Sequence, residues 1–62
     1  MKREYYKHGG RVVCYINITP AAVTVCTGRP SDPVCISWRY APDELDKART
    51  TAREFFRNYT NR

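Results

Sequence analysis

The chain has 62 residues, a formal net charge of +5 and 42% hydrophobic residues. That length allows one domain, and that apolar share belongs to a folded chain rather than a disordered one. No apolar run approaches the roughly 18 residues of a membrane span, and no hydrophobic stretch of a leader follows "MKREYYKHGG". Three cysteines cannot make a closed disulfide set. The expectation is therefore a cytoplasmic protein with reduced thiols and no membrane contact. A core of this size contributes only about 3–5 kcal/mol, so a homodimer or docking on a partner would add useful stability.

The charge is uneven. Residues 1–11 carry Lys2, Arg3, Lys7 and Arg11 against Glu4, a net +3, while residues 12–41 and 42–62 contribute +1 each. A basic arm on a nearly balanced body is the electrostatic footprint of a phosphate-rich or acidic partner. The segment "EYYKHGGRVV" also holds a Gly9-Gly10 pair that would close a hairpin and make the arm a short edge strand. The expected division is an arm or edge strand at 1–10 and a single β-β-β-α unit at 11–62.

From Arg11 to Thr19, Val12, Cys14, Ile16 and Ile18 alternate with Val13, Tyr15 and Asn17, the period of two of a half-buried strand. Pro20 and Ala21 make a turn, and Ala22 to Thr27, rich in β-branched residues, is the next strand. The loop "GRPSDP" combines Gly, two prolines and a Ser-Asp pair, all turn formers for separate reasons. Val34 to Tyr40 is a third strand with Val34, Ile36, Trp38 and Tyr40 on one side. If Pro20-Ala21 is a two-residue turn, Ile18 lies opposite Val23 and Ile16 opposite Val25. If Gly28 pairs with Pro33, Val25 lies opposite Ile36 and Val23 opposite Trp38. Both hairpins then put the same residues on one face, and a one-residue slip would destroy that agreement.

From Pro42 onward the chain reads as a helix. Pro42 suits the first helical position, and Asp43, Glu44 and Asp46 place negative charge in the first turns, where the helix dipole favours it. Leu45, Ala48, Ala52, Phe55, Phe56 and Tyr59 fall on one stripe. That stripe would cover Ile16, Ile18, Val23, Val25, Ile36 and Trp38. The expected fold is α+β: a three-stranded antiparallel meander, with a further N-terminal edge strand if the Gly-Gly turn closes, packed on one C-terminal helix.

This register sets Cys26 directly opposite Cys35 on the face away from the helix, with Cys14 on the other face. A zinc site needs four ligands in two closely spaced pairs. Here there are three cysteines, and the one histidine, His8, lies in the arm. A disulfide between directly opposed strand residues is strained and disfavoured in a reducing cell. The preferred reading is two small apolar thiols side by side, with no metal and no cofactor. Catalysis has no support: nothing orients a Cys–His pair, and there is no phosphate loop or paired-carboxylate cleft.

Two surfaces could carry function. On the open face the rows would read Tyr15–Cys26–Cys35 and Asn17–Thr24–Ser37, with Arg11 and Arg39 at the margins. A β-ribbon or sheet can enter a DNA groove, where Asn and Arg read base edges and Ser or Thr reads either. Lys2, Arg3 and Lys7 of the arm would reach neighbouring phosphates. The second surface is the helix flank of Arg49, Arg53 and Arg57, spaced four apart with Asp46 beside the first two. It is either a solvated face with ion pairs along the helix or a contact for an acidic partner.

The order of basic arm, three strands and one helix resembles the small three-stranded DNA-binding domains at the N-termini of tyrosine recombinases and in a plant transcription-factor family. The resemblance is one of architecture over most of the chain, and it implies DNA binding through the open sheet face. The alternative is a phage- or plasmid-type protein that binds and inhibits or modulates a host protein. Its contact residues would be Tyr5, Tyr6, Arg49, Arg53 and Arg57, because tyrosine and arginine are enriched at interface hot spots.

Overall fold

A computed structural model of the protein describes residues 2–28 and 36–61. Four antiparallel strands lie in sequential order in one sheet: β1 (Lys2–His8), β2 (Arg11–Ile18), β3 (Val23–Thr27) and β4 (Ser37–Tyr40). One helix, α1 (Leu45–Thr60), packs across one face. The α+β expectation holds, and the N-terminal segment is a full seven-residue edge strand.

Glycine chemistry makes the first hairpin. Gly9 and Gly10 have φ of 59° and 79°, the positive pair that a type I′ turn requires and that suits the twist of the flanking strands. β1 then runs back along β2 from His8↔Arg11 to Lys2↔Ile18. The pairing jumps from Tyr6↔Cys14 to Lys7↔Val12, so Val13 is an extra residue on β2, a bulge beside the sheet edge. β1 carries Lys2, Arg3 and Lys7 along that edge, where charge discourages pairing with another chain.

The β2–β3 register agrees with expectation: Ile18↔Val23, Asn17↔Thr24, Ile16↔Val25 and Tyr15↔Cys26. Thr19 closes this turn. Its hydroxyl accepts from the Ala22 N–H at 3.1 Å and donates to the Ala22 carbonyl at 2.9 Å.

The β3–β4 register differs from expectation by two residues. Val23 pairs with Tyr40, Thr24 with Arg39, Val25 with Trp38 and Cys26 with Ser37. Cys26 is therefore not opposite Cys35, Val23 is not opposite Trp38, and Thr24 is not opposite Ser37. At φ 75° the Gly28 N–H reaches the Val13 carbonyl on the β2 side at 2.7 Å, while on the β4 side the Thr27 N–H takes the Ile36 carbonyl at 3.0 Å. Pro33, without an N–H, cannot donate to a ladder. Cys35 and the expected strand start at Val34 lie outside the described residues. An even shift keeps every side chain on its face, so the face assignment survives the error.

The core is Cys14, Ile16, Val23, Val25, Ala48 and Ala52, with Tyr6, Ile18, Tyr40, Leu45 and Phe55 packed around it. Ala48 and Ala52 hold the helix close to the central strands, so the Cys14 thiol comes within 3.7 Å of the Ala52 carbonyl. Two expected core residues are peripheral. Ile36 is 64% exposed, and Trp38, 36% exposed, packs on Phe55 at a ring separation of 6.2 Å. Both sit on or beside the outer strand, while the helix lies chiefly over β2 and β3. Tyr40, a residue further inward along the register, takes the place opposite Val23, and its hydroxyl hydrogen-bonds Thr51.

The helix also begins later than Pro42. The Glu44 N–H bonds back to the Ala41 carbonyl at 2.9 Å, closing a turn with Pro42 in its second place, which proline favours. The Glu44 carboxylate then accepts from the Ala41 N–H at 3.0 Å and pairs with Lys47 at 2.8 Å, so the helix starts at Leu45. Hydrogen bonding to Lys47 holds the Glu44 carboxyl below its usual range.

Candidate functional site

Alternation along β1 sorts its side chains between two faces. Glu4 meets Arg49 of the helix, and the Tyr6 ring stands 6.2 Å from Phe56, so these two face α1. Lys2 alternates with them and lies on the same side, where its charge helps hold the Glu4 carboxyl down. Arg3 and Tyr5 project to the open face, and the Lys7 ammonium, 5.9 Å from the Tyr5 ring centre, shares it.

Two rows cross all four strands on that face. One reads Arg3–Asn17–Thr24–Arg39, the other Tyr5–Tyr15–Cys26–Ser37, each residue paired with the next in register. The Arg3 Nε donates to Asn17 Oδ1 at 2.7 Å, and its guanidinium lies 5.7 Å from the centre of the Tyr15 ring. Tyr5 and Tyr15 stand 6.3 Å apart with their planes tilted by 36°. The face is drier than its polar composition suggested. Tyr15 and Cys26 are only 7% and 6% exposed, whereas Tyr5 is 47% exposed.

The charges are segregated. Of the described carboxylates, Glu4 is turned to the helix, Asp43 and Glu44 lie in the turn before α1, and Asp46 and Glu54 are on α1. The open face holds Arg3, Lys7 and Arg39 and, among the described residues, no carboxylate. Arg11 is exposed beside the first hairpin turn, opposite His8.

The structure thus brings together Arg3, Lys7, Tyr15, Asn17, Thr24, Ser37 and Arg39 from the expected DNA-binding set, and turns Lys2 away from them. The alternative set does not form one surface. Tyr5 and Tyr6 lie on opposite faces, Tyr6 packs on Phe56, and Arg49 is engaged with Glu4, which leaves Arg53 and Arg57 exposed on the helix. Burial raises the Tyr6 hydroxyl pKa, and the hydrogen bonds to Glu4 raise that of Arg49. Tyr5, assigned from sequence only to the alternative, stands between Arg3 and Lys7. Reading the arm as a strand exposes this Arg-x-Tyr-x-Lys alternation.

The two described thiols point to opposite faces. Cys14 is in the core, where burial pushes its pKa up to about 11, and Cys26 is on the open side. No group of three or more His, Cys, Asp or Glu side chains able to hold a metal ion occurs among the described residues.

These features define a class of protein: a small α+β chain with a four-stranded antiparallel sheet, helix-covered on one face and cationic on the other. Comparison with protein-family models, curated proteins and solved structures finds no match. No helix among the described residues is long and apolar enough to cross a membrane.

Proposed function

We propose that this chain is a small non-enzymatic binding protein that takes nucleic acid, with DNA as the first candidate, on its open sheet face. One observation carries the reading: the Arg3–Asn17–Thr24–Arg39 row, joined by Lys7, on a face without a described carboxylate. Lysine and arginine bind phosphates and release counterions, which supplies sequence-independent affinity and makes it salt-dependent. Asn17 and Arg39 are types that read base edges.

Fluorescence anisotropy with labelled DNA at several salt concentrations tests this. Affinity should fall by decades between low and physiological salt. R3A, K7A and R39A should each reduce the salt slope by about one unit if the side chain contacts a phosphate. Point substitution is the right tool, because trimming residues 2–8 removes a strand of the sheet. Absence of binding at micromolar protein and low salt removes the reading.

One observation favours the second reading, a phage- or plasmid-type protein that modulates a host protein. Ile36 and Trp38 are exposed along the outer strand, where a partner could add apolar contacts and backbone pairing. Capture of a host protein that survives nuclease treatment and moderate salt would support it over the first.

A further inference from the structure

We infer that the open face takes its nucleic acid single-stranded, with one base stacked on the Tyr5 ring and the adjoining phosphates on Arg3 and Lys7. This deepens the nucleic-acid reading of the same face and rests on it.

Width argues against a duplex groove. Adjacent strands lie about 4.8 Å apart, so four strands span about 14 Å before side chains are added, whereas the major groove is about 12 Å wide and admits a two-stranded ribbon. A four-stranded face with an exposed ring beside cations suits a chain whose bases are already splayed out.

Among the described residues the face has one well-exposed ring. Tyr15 is nearly buried and forms the wall on which Tyr5 leans, while nearly half of Tyr5 is open to solvent. Arg3 and Lys7 stand two residues to either side of Tyr5 along β1, each displaced by about 7 Å. Arg3 is pre-positioned by Tyr15 beneath it and by Asn17 at its Nε, and its terminal NH2 groups supply the donors that suit a phosphate. The Lys7 ammonium lies 5.9 Å from the Tyr5 ring centre. Such an exposed cation–ring contact is weaker than stacking of a base over the whole ring, so a base displaces it, and Lys7 remains beside the entering backbone.

The test uses the full chain and one labelled DNA strand of about 12 nucleotides, a length within known single-strand site sizes. The strand is presented alone or annealed to its complement, at low salt. The wild type should bind the single strand at least about tenfold tighter than the duplex, and Y5A should weaken single-strand binding by roughly five- to a hundredfold, the range seen for loss of one base–aromatic stack. Y5F should bind within about twofold of wild type, because the ring face is kept. Y5L, which keeps apolar bulk but has no ring, should behave like Y5A, and it decides the matter if Y5A lowers the thermal midpoint. If the duplex binds as tightly as the single strand, or Y5L binds like wild type, stacking on Tyr5 is wrong while the cationic face still binds DNA. If neither form binds, both readings fall.

Discussion

Arg49 on the helix donates from Nε and Nη2 to the two carboxylate oxygens of Glu4 on the edge strand, at 3.0 and 2.7 Å, across 45 residues of sequence. This fork fixes more than the distance between β1 and α1. With Glu4 held to the helix side, alternation sends Arg3 and Tyr5 to the open face. A one-residue slip of β1 would turn both of them toward the helix. The ion pair therefore helps set the surface proposed to bind nucleic acid.

The pair makes stability fall in acid. Hydrogen bonding to Arg49 lowers the Glu4 pKa from its ordinary value of 4.5, outweighing the opposite effect of burial. A depressed folded pKa means the folded state binds the proton less readily than the unfolded chain. Its stabilisation is present above the unfolded pKa and is lost as pH falls through the folded one. The thermal midpoint should drop between about pH 5 and 3, and E4Q should show a shallower drop. Glu44 contributes with the same sign and persists in E4Q. Parallel melting curves for wild type and E4Q across that range would contradict the assignment.

Core and edge substitutions should separate clearly in urea. Ile16 is fully buried at the sheet centre, and I16A should cost about 2–5 kcal/mol, a large share of the stability of a domain this small. W38A should cost less than the about 3–5 kcal/mol of a fully buried aromatic, because Trp38 is partly solvated and touches the helix mainly at Phe55. A W38A variant that is unfolded in buffer would mean that the outer strand carries more of the core than its exposure indicates.

The Cys14 thiol should be unreactive in the folded protein. It is buried against the Ala52 carbonyl, and its pKa of about 11 leaves little thiolate at neutral pH. In the C26S/C35S variant, labelling by a thiol reagent at pH about 8 should proceed only as fast as the protein opens, and urea should accelerate it sharply. Rapid stoichiometric labelling without denaturant would place Cys14 outside the core.

The first hairpin turn should accept asparagine and resist alanine. Gly9→Asn preserves a type I′ pair and should leave the melting midpoint nearly unchanged. Gly10→Ala puts a β-carbon at φ 79° and should cost about 1–2 kcal/mol. If the two variants melt alike, the turn is not the one described.

Sequence alone determined the features that depend on neighbouring residues. Alternation in "RVVCYINIT" and the two-residue Pro20-Ala21 connection specified β2, β3 and their register, because turn length and side-chain period constrain each other. The Ala48–Ala52–Phe55 spacing specified the helix face. Tertiary structure decided the rest. Whether residues 2–8 were an arm or a strand depended on β2 offering an edge and on Arg49 lying within reach of Glu4. The two-residue shift of β4 goes with the Thr27 N–H on the Ile36 carbonyl, a pairing nine residues apart in sequence. That shift replaced Cys35 by Ser37 opposite Cys26 and set Arg39 opposite Thr24. The row from Arg3 to Arg39 exists only because three separate strand pairings align, and a period of two within one strand carries no information about which residues of other strands will stand beside it.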